Sequence, residues 1–143
     1  MTPEEKQLLL RDLCARLPYR VICQMEDELI ISDSHFYDCN LSERYIELFR
    51  NHKDFYIKPY LRPMSSMTEE EMTEMHTMLS PTGTAVYKCD GLSTPVSHFG
   101  DFIPYEYMSR VIDWLNAHHF DYRGLIGEGL AIEVTEENNP YKD

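Results

Sequence analysis

The sequence predicts an α+β fold, a small and mostly antiparallel sheet packed against three to four helices. Two observations point there. Along the chain the apolar residues switch between the 3.6-residue period of helices and the two-residue period of strands. The switches follow no regular strand–helix–strand alternation, which argues against a doubly wound parallel sheet. A hydrophobic fraction of 43% over 143 residues adds that the chain can bury a real core rather than remain disordered. The expected organisation is one domain over residues 1–134, followed by an acidic tail over 135–143 that frays.

Thr2 can cap the first helix, Pro3 suits its first turn, and Glu5 completes a Thr-x-x-Glu capping box. Leu10, Leu13, Cys14 and Leu17 recur at i, i+3, i+4 and i+7, which predicts the buried stripe. Asp12 and Arg16 then form an i, i+4 ion pair on the outer side, and Pro18 stops the helix. Residues 19–32 read as a hairpin: Tyr19, Val21, Cys23 and Met25 alternate with polar neighbours, Glu26-Asp27 turns, and Leu29–Ile31 returns. Residues 33–40 read as a loop.

Ser42 marks a second helix start, with Leu41 placed to staple against Ile46. From Phe55 to Arg62 the period is two again. Pro59 assigns that strand to a sheet edge or a bulge, because proline has no N–H for a ladder. A second capping box, Thr68 to Glu71, opens a Met-rich helix. Residues 84–89 predict a short strand and Asp90-Gly91 a turn, with irregular chain after it. Pro104 opens a long amphipathic helix, along which Glu106 and Arg110 pair, and Leu130–Val134 returns as a last strand.

Net charge is −12, which opposes direct binding to nucleic acid and to anionic membranes. No apolar run approaches the roughly 18 residues that span a bilayer. MTPEEKQ lacks the basic and apolar regions of a secretory signal, and Cys14, Cys23, Cys39 and Cys89 form no Cys-x-x-Cys pair. The expectation is therefore a cytoplasmic protein with buried, reduced thiols and neither cofactor nor metal.

Two groups of residues could carry chemistry. His118, His119 and Asp121 follow the long helix, where imidazoles beside a carboxylate suit proton transfer. Adjacent histidines project about 100° apart on a helix, so the simpler assignment is one against the core and one at the helix end. Tyr56, Lys58, Tyr60 and Arg62 share one strand face, an arrangement able to stack a nucleic-acid base and neutralise a phosphate. The alternative is tyrosines packing under cationic stems. Met64, Met67, Met72, Met75 and Met78 form a stripe that reads as core, or as an adaptable partner surface. Gly124, Gly127 and Gly129 follow a helix with no Lys-Ser/Thr beyond them, so they suit a helix cap and a tight turn rather than a phosphate loop.

The segments EEKQLLLRDLCARLPY (residues 4–19), IKPYLRPMSSMTEEE (57–71) and WLNAHHFDYRGLIGEGLAIE (114–133) resemble a family of short uncharacterised proteins from gut anaerobic bacteria and their prophages or other mobile elements. The resemblance implies a small cytoplasmic accessory protein and carries over no activity, ligand or catalytic residue. The leading expectation is a non-enzymatic protein that acts through a protein partner, another molecule of itself included. One rival is an anti-defence inhibitor whose acidic surface imitates DNA. The other is a small hydrolase or metal enzyme centred on His119 and Asp121.

Overall fold

The computed structural model describes residues 1–27, 35–79, 85–89, 92–96 and 105–142. Among the described residues there are four α-helices: α1 (Pro3–Arg16), α2 (Glu43–Asn51), α3 (Glu69–Leu79) and α4 (Tyr105–Ala117). The strands are β1 (Ile22–Asp27), β2 (His35–Asn40), β3 (Ile57–Leu61), β4 (Ala85–Cys89), β5 (Leu92–Val96) and β6 (Ile132–Glu133). The fold is α+β, with a four-stranded mixed sheet in the order β2-β1-β3-β6 and a separate β4-β5 hairpin. Two compact units emerge, Met1–Arg62 with Arg123–Asp143, and Pro63–Tyr122. Among the described residues no helix is long and apolar enough to cross a membrane.

In the first unit α1 starts as its sequence demands. Glu5 N–H donates to Thr2 Oγ1 at 3.1 Å, and Thr2 N–H donates back to the Glu5 carboxylate at 2.8 Å. The buried stripe, however, is Leu9, Asp12, Leu13 and Arg16. It keeps the helical spacing but is shifted by one residue from the all-apolar choice. The shift turns Cys14 out into solvent and takes the Asp12–Arg16 pair, expected outside, into the interior.

Val21, Cys23 and Met25 alternate inward as expected, and Leu9, Leu13, Ile46, Phe49, Ile57 and Leu61 complete the core on that side of the sheet. Leu41 and Ile46 both lie in it, as the staple requires. Burying such side chains contributes roughly 1.5–3 kcal/mol each against leaving them exposed.

Residues 35–40 form strand β2, not a loop, paired antiparallel with β1 over six residue pairs from Ile22↔Asn40 to Asp27↔His35. Glu26 and Asp27, expected to turn, continue β1 and pair with Phe36 and His35, and the expected return strand Leu29–Ile31 lies outside the described residues. β3 is an inner strand despite Pro59. Leu41 N–H donates to Val21 C=O at 2.9 Å, so the odd-numbered residues of β1 face β2 and its even-numbered ones face β3. Pro59 stands opposite Cys23, so its missing N–H is directed away from β1. β6 pairs in parallel with Tyr60 and Leu61 only, so at Pro59 that side of β3 needs no donor.

The acidic tail, expected to fray, carries Tyr141 back into this unit. The next β1–β3 pair beyond Cys23↔Pro59 would be Ile22 with Tyr60. Between them the Tyr141 hydroxyl accepts from Ile22 N–H at 3.0 Å and donates to Tyr60 C=O at 2.8 Å. A tail side chain thus satisfies two strand groups where the ladder parts.

In the second unit α3 begins with its capping box, Glu71 N–H to Thr68 Oγ1 at 3.1 Å and Thr68 N–H to the Glu71 carboxylate at 3.0 Å. Met75, Val111, Trp114, Leu115 and Phe120 form the core, with Met64, Met67 and Met78 packed against it. Flexible thioethers suit such positions at the rim of a core. Residues 92–96 form β5 rather than irregular chain, pairing Ala85↔Val96 through Cys89↔Leu92. The Asp90-Gly91 turn and the Glu106 side chain lie outside the described residues.

Candidate functional site

The Tyr56–Arg62 residues sit in the first unit, on the sheet face opposite Cys23 and Met25. A polar chain crosses three strands there. Tyr60 donates its hydroxyl to Asp38 Oδ1 at 2.8 Å, and Tyr56 donates to Gln24 Oε1 at 3.0 Å. Phe36 meets the Tyr56 ring edge-on, centroids 5.1 Å apart, and Lys58 Nζ lies 5.5 Å from the same ring centre. Tyr60 is buried, while Tyr56, Lys58 and Arg62 are half-buried. Burial, then donation to Asp38, pushes the Tyr60 phenol up to about 12. The tyrosines are therefore packed and bonded within the sheet, and Lys58 is spread over one of them.

Phe36 and Tyr37, unremarked in the sequence, are the site's most exposed aromatics, at 55% and 36%. Neighbours on a strand, they project to opposite faces. β2 is the outer strand of its sheet, so both flank an edge. Asp38 and Asn40 are exposed beside them. The only signal available beforehand was the β-prone pair Phe36-Tyr37 inside a segment too polar to read as a strand.

The histidine group lies in the second unit. His118 stacks on Trp114, ring centres 4.1 Å apart, with its Nδ1 2.9 Å from the Trp114 carbonyl. His119 has φ 63°, the left-handed conformation. Its N–H bonds Asn116 C=O at 3.1 Å and Phe120 N–H bonds Leu115 C=O at 2.9 Å, the paired bonds of a Schellman helix end. A histidine thus takes the place that glycine favours, and Phe120 enters the core beside Leu115. Gly129, at φ 73°, closes residues 125–130 with the same pair of bonds, Gly129 N–H to Ile126 C=O and Leu130 N–H to Leu125 C=O. Asp121 is buried. The two candidate groups of the sequence lie in different units.

Beneath the first unit's sheet is a buried ionic centre. Asp12 Oδ2 accepts from Arg16 Nε at 2.7 Å, and its Oδ1 accepts from Arg123 Nη1 at 3.0 Å. Asp12 and Arg16 side chains are 0% exposed, and Arg123 is 29% exposed. These bonds tie α1 to the turn at Arg123, and two cations around one carboxylate offset the cost of burying it. Nearby, burial pushes the Cys23 thiol up, and burial does the same at Cys39, opposed by a hydrogen bond with Tyr45. Such thiols are poor nucleophiles.

No family model, curated protein or solved structure matches this chain. Among the described residues no three His, Cys, Asp or Glu side chains gather as a metal set. What the first unit offers is an edge strand flanked by exposed aromatics and rimmed by polar groups, which are features of contact surfaces.

Proposed function

We propose that this chain is a non-enzymatic, cytoplasmic protein that acts by binding another protein through the β2 side of its sheet. The observation that carries this reading is the exposure of Phe36 and Tyr37 on an outer strand. Large aromatics are enriched at protein contacts, where they supply area at little cost in side-chain entropy. Tyr56 supports Phe36 from behind, giving the contact a firm base. The free thiols at Cys14, Cys23 and Cys39 suit a reducing compartment.

The test is a paired affinity capture from the native host with the unaltered chain and with a Phe36→Ser, Tyr37→Ser variant. Circular dichroism first establishes that both fold alike. A protein retained by the unaltered chain and lost by the variant supports the reading. Equal retention by both chains contradicts it.

A further inference from the structure

The same surface specifies a kind of partner, and the argument rests on the β2 reading above. Because Leu41 N–H points at β1, the alternation of an antiparallel ladder points the N–H and C=O groups of Tyr37 and Cys39 the same way. Those of Phe36, Asp38 and Asn40 point outward, where no strand among the described residues meets them. Proteins usually blunt such an edge with proline, lysine or a bulge. His35–Asn40 contains neither proline nor lysine, and its six pairs with β1 run without a bulge. The edge is a regular template for one more strand.

Charge decides what that strand carries. Asp38 is exposed on the outward-bonding register, and Glu26 stands opposite Phe36 on β1. Lys58, on the same face, is drawn over the Tyr56 ring. The chain as a whole carries −12. A second copy of β2 would bring another Asp38, another Glu26 and another −12 to the contact. A cationic strand would meet opposite charge on the face and in the long-range field.

We infer that β2 accepts an extended, cationic segment of a partner protein as a fifth strand. The segment's backbone pairs with Phe36, Asp38 and Asn40, its Lys or Arg side chains lie on the face of Asp38, Glu26 and Phe36, and its apolar residues pack on the opposite face beside Tyr37.

The experiment adds an eight-residue peptide of alternating Val and Lys to the full chain and follows binding by fluorescence anisotropy and residue-level amide exchange. The inference expects binding, with exchange slowed at the Phe36, Asp38 and Asn40 amides and little changed at Tyr37 and Cys39. Asp38→Lys should weaken binding roughly tenfold, in keeping with the cost of placing like charges together. A peptide N-methylated along its pairing edge should not bind.

Four results overturn the inference: no binding; binding without slowed exchange at those three amides; equal binding of a Val-Glu peptide; or a dimer of the chain alone that already protects them. A partner captured through Phe36 and Tyr37 despite any of these results leaves the protein-contact reading standing. Loss of that capture effect removes both.

Discussion

The two units use one helix-starting device and then diverge in how they hold their interiors. Both α1 and α3 open with a reciprocal Thr–Glu capping box. Beyond that, the Pro63–Tyr122 unit closes on a mainly apolar centre, with Trp114 and Phe120 stacked 5.7 Å apart, and its buried Asn116 is bonded locally, accepting from the Tyr122 hydroxyl at 2.8 Å. The sheet unit adds directional polar bonds between residues far apart in sequence, Asp12 to Arg123 and Ile22 to Tyr141. Apolar packing tolerates volume-conserving exchange, whereas a buried polar bond leaves a stranded partner when one side is removed. The sheet unit should therefore be the more sensitive to small polar changes.

The largest expected effect is at Asp12. Asp12→Ala leaves Arg16 buried without its carboxylate and should destabilise the sheet unit by about 3–5 kcal/mol, measured by denaturant unfolding. An Asp12→Leu, Arg16→Met double variant should recover much of that loss, because an apolar pair replaces the stranded charge. If the single and double variants are equally damaged, the ionic centre is not what the substitution breaks.

Next comes Tyr141→Phe, which removes one hydroxyl while keeping the ring. Ile22 N–H and Tyr60 C=O lose their shared partner, and the loss should be about 1–3 kcal/mol. Amide exchange should quicken at Ile22. An unchanged Ile22 amide would show that the tail is not what holds this end of the ladder.

Alkaline titration extends the comparison without mutation. In the sheet unit the Tyr60 phenol is pushed up to about 12 by burial, and Tyr45 to about 12 by its hydrogen bond with Cys39. An unfolded tyrosine ionises near pH ~10. The fold therefore favours the neutral phenols, and their contribution is intact below pH ~10 and lost as pH rises through about 12. The denaturant midpoint should fall across that window, and a flat midpoint would contradict phenols held neutral by burial at Tyr60 and by hydrogen bonding at Tyr45.

The smallest effect belongs to His119. Its left-handed backbone costs about 1–2 kcal/mol relative to glycine, so His119→Gly should leave the second unit as stable or raise its Tm by a few degrees. A clear loss of stability would show that the imidazole's own contacts outweigh the backbone strain.

These contrasts also explain what could be read in the sequence. Capping boxes, the Val21–Cys23–Met25 alternation and the methionine stripe are local patterns, and they led to the right elements. The stripe of α1 was misplaced by one residue because Leu8, Leu9 and Leu10 are consecutive, so apolarity alone does not choose the face. Its true face contains Asp12, whose partner Arg123 lies 111 positions away. β2 was hidden because Phe36 and Tyr37 break the apolar–polar alternation, both being exposed. Pro59 pointed to an edge for a sound reason, yet the short β6 places β3 inside the sheet while sparing that one position. Of the candidate site, Tyr56, Lys58 and Tyr60 were legible as a shared face. The edge beside them was not, since register is set by pairing rather than by composition.

The open edge of β2 is tested most directly by residue-level amide exchange in the chain alone. An uncovered edge leaves the Tyr37 and Cys39 amides protected and those of Phe36, Asp38 and Asn40 exchanging freely. Protection at all five would contradict it, because the edge would then already be covered.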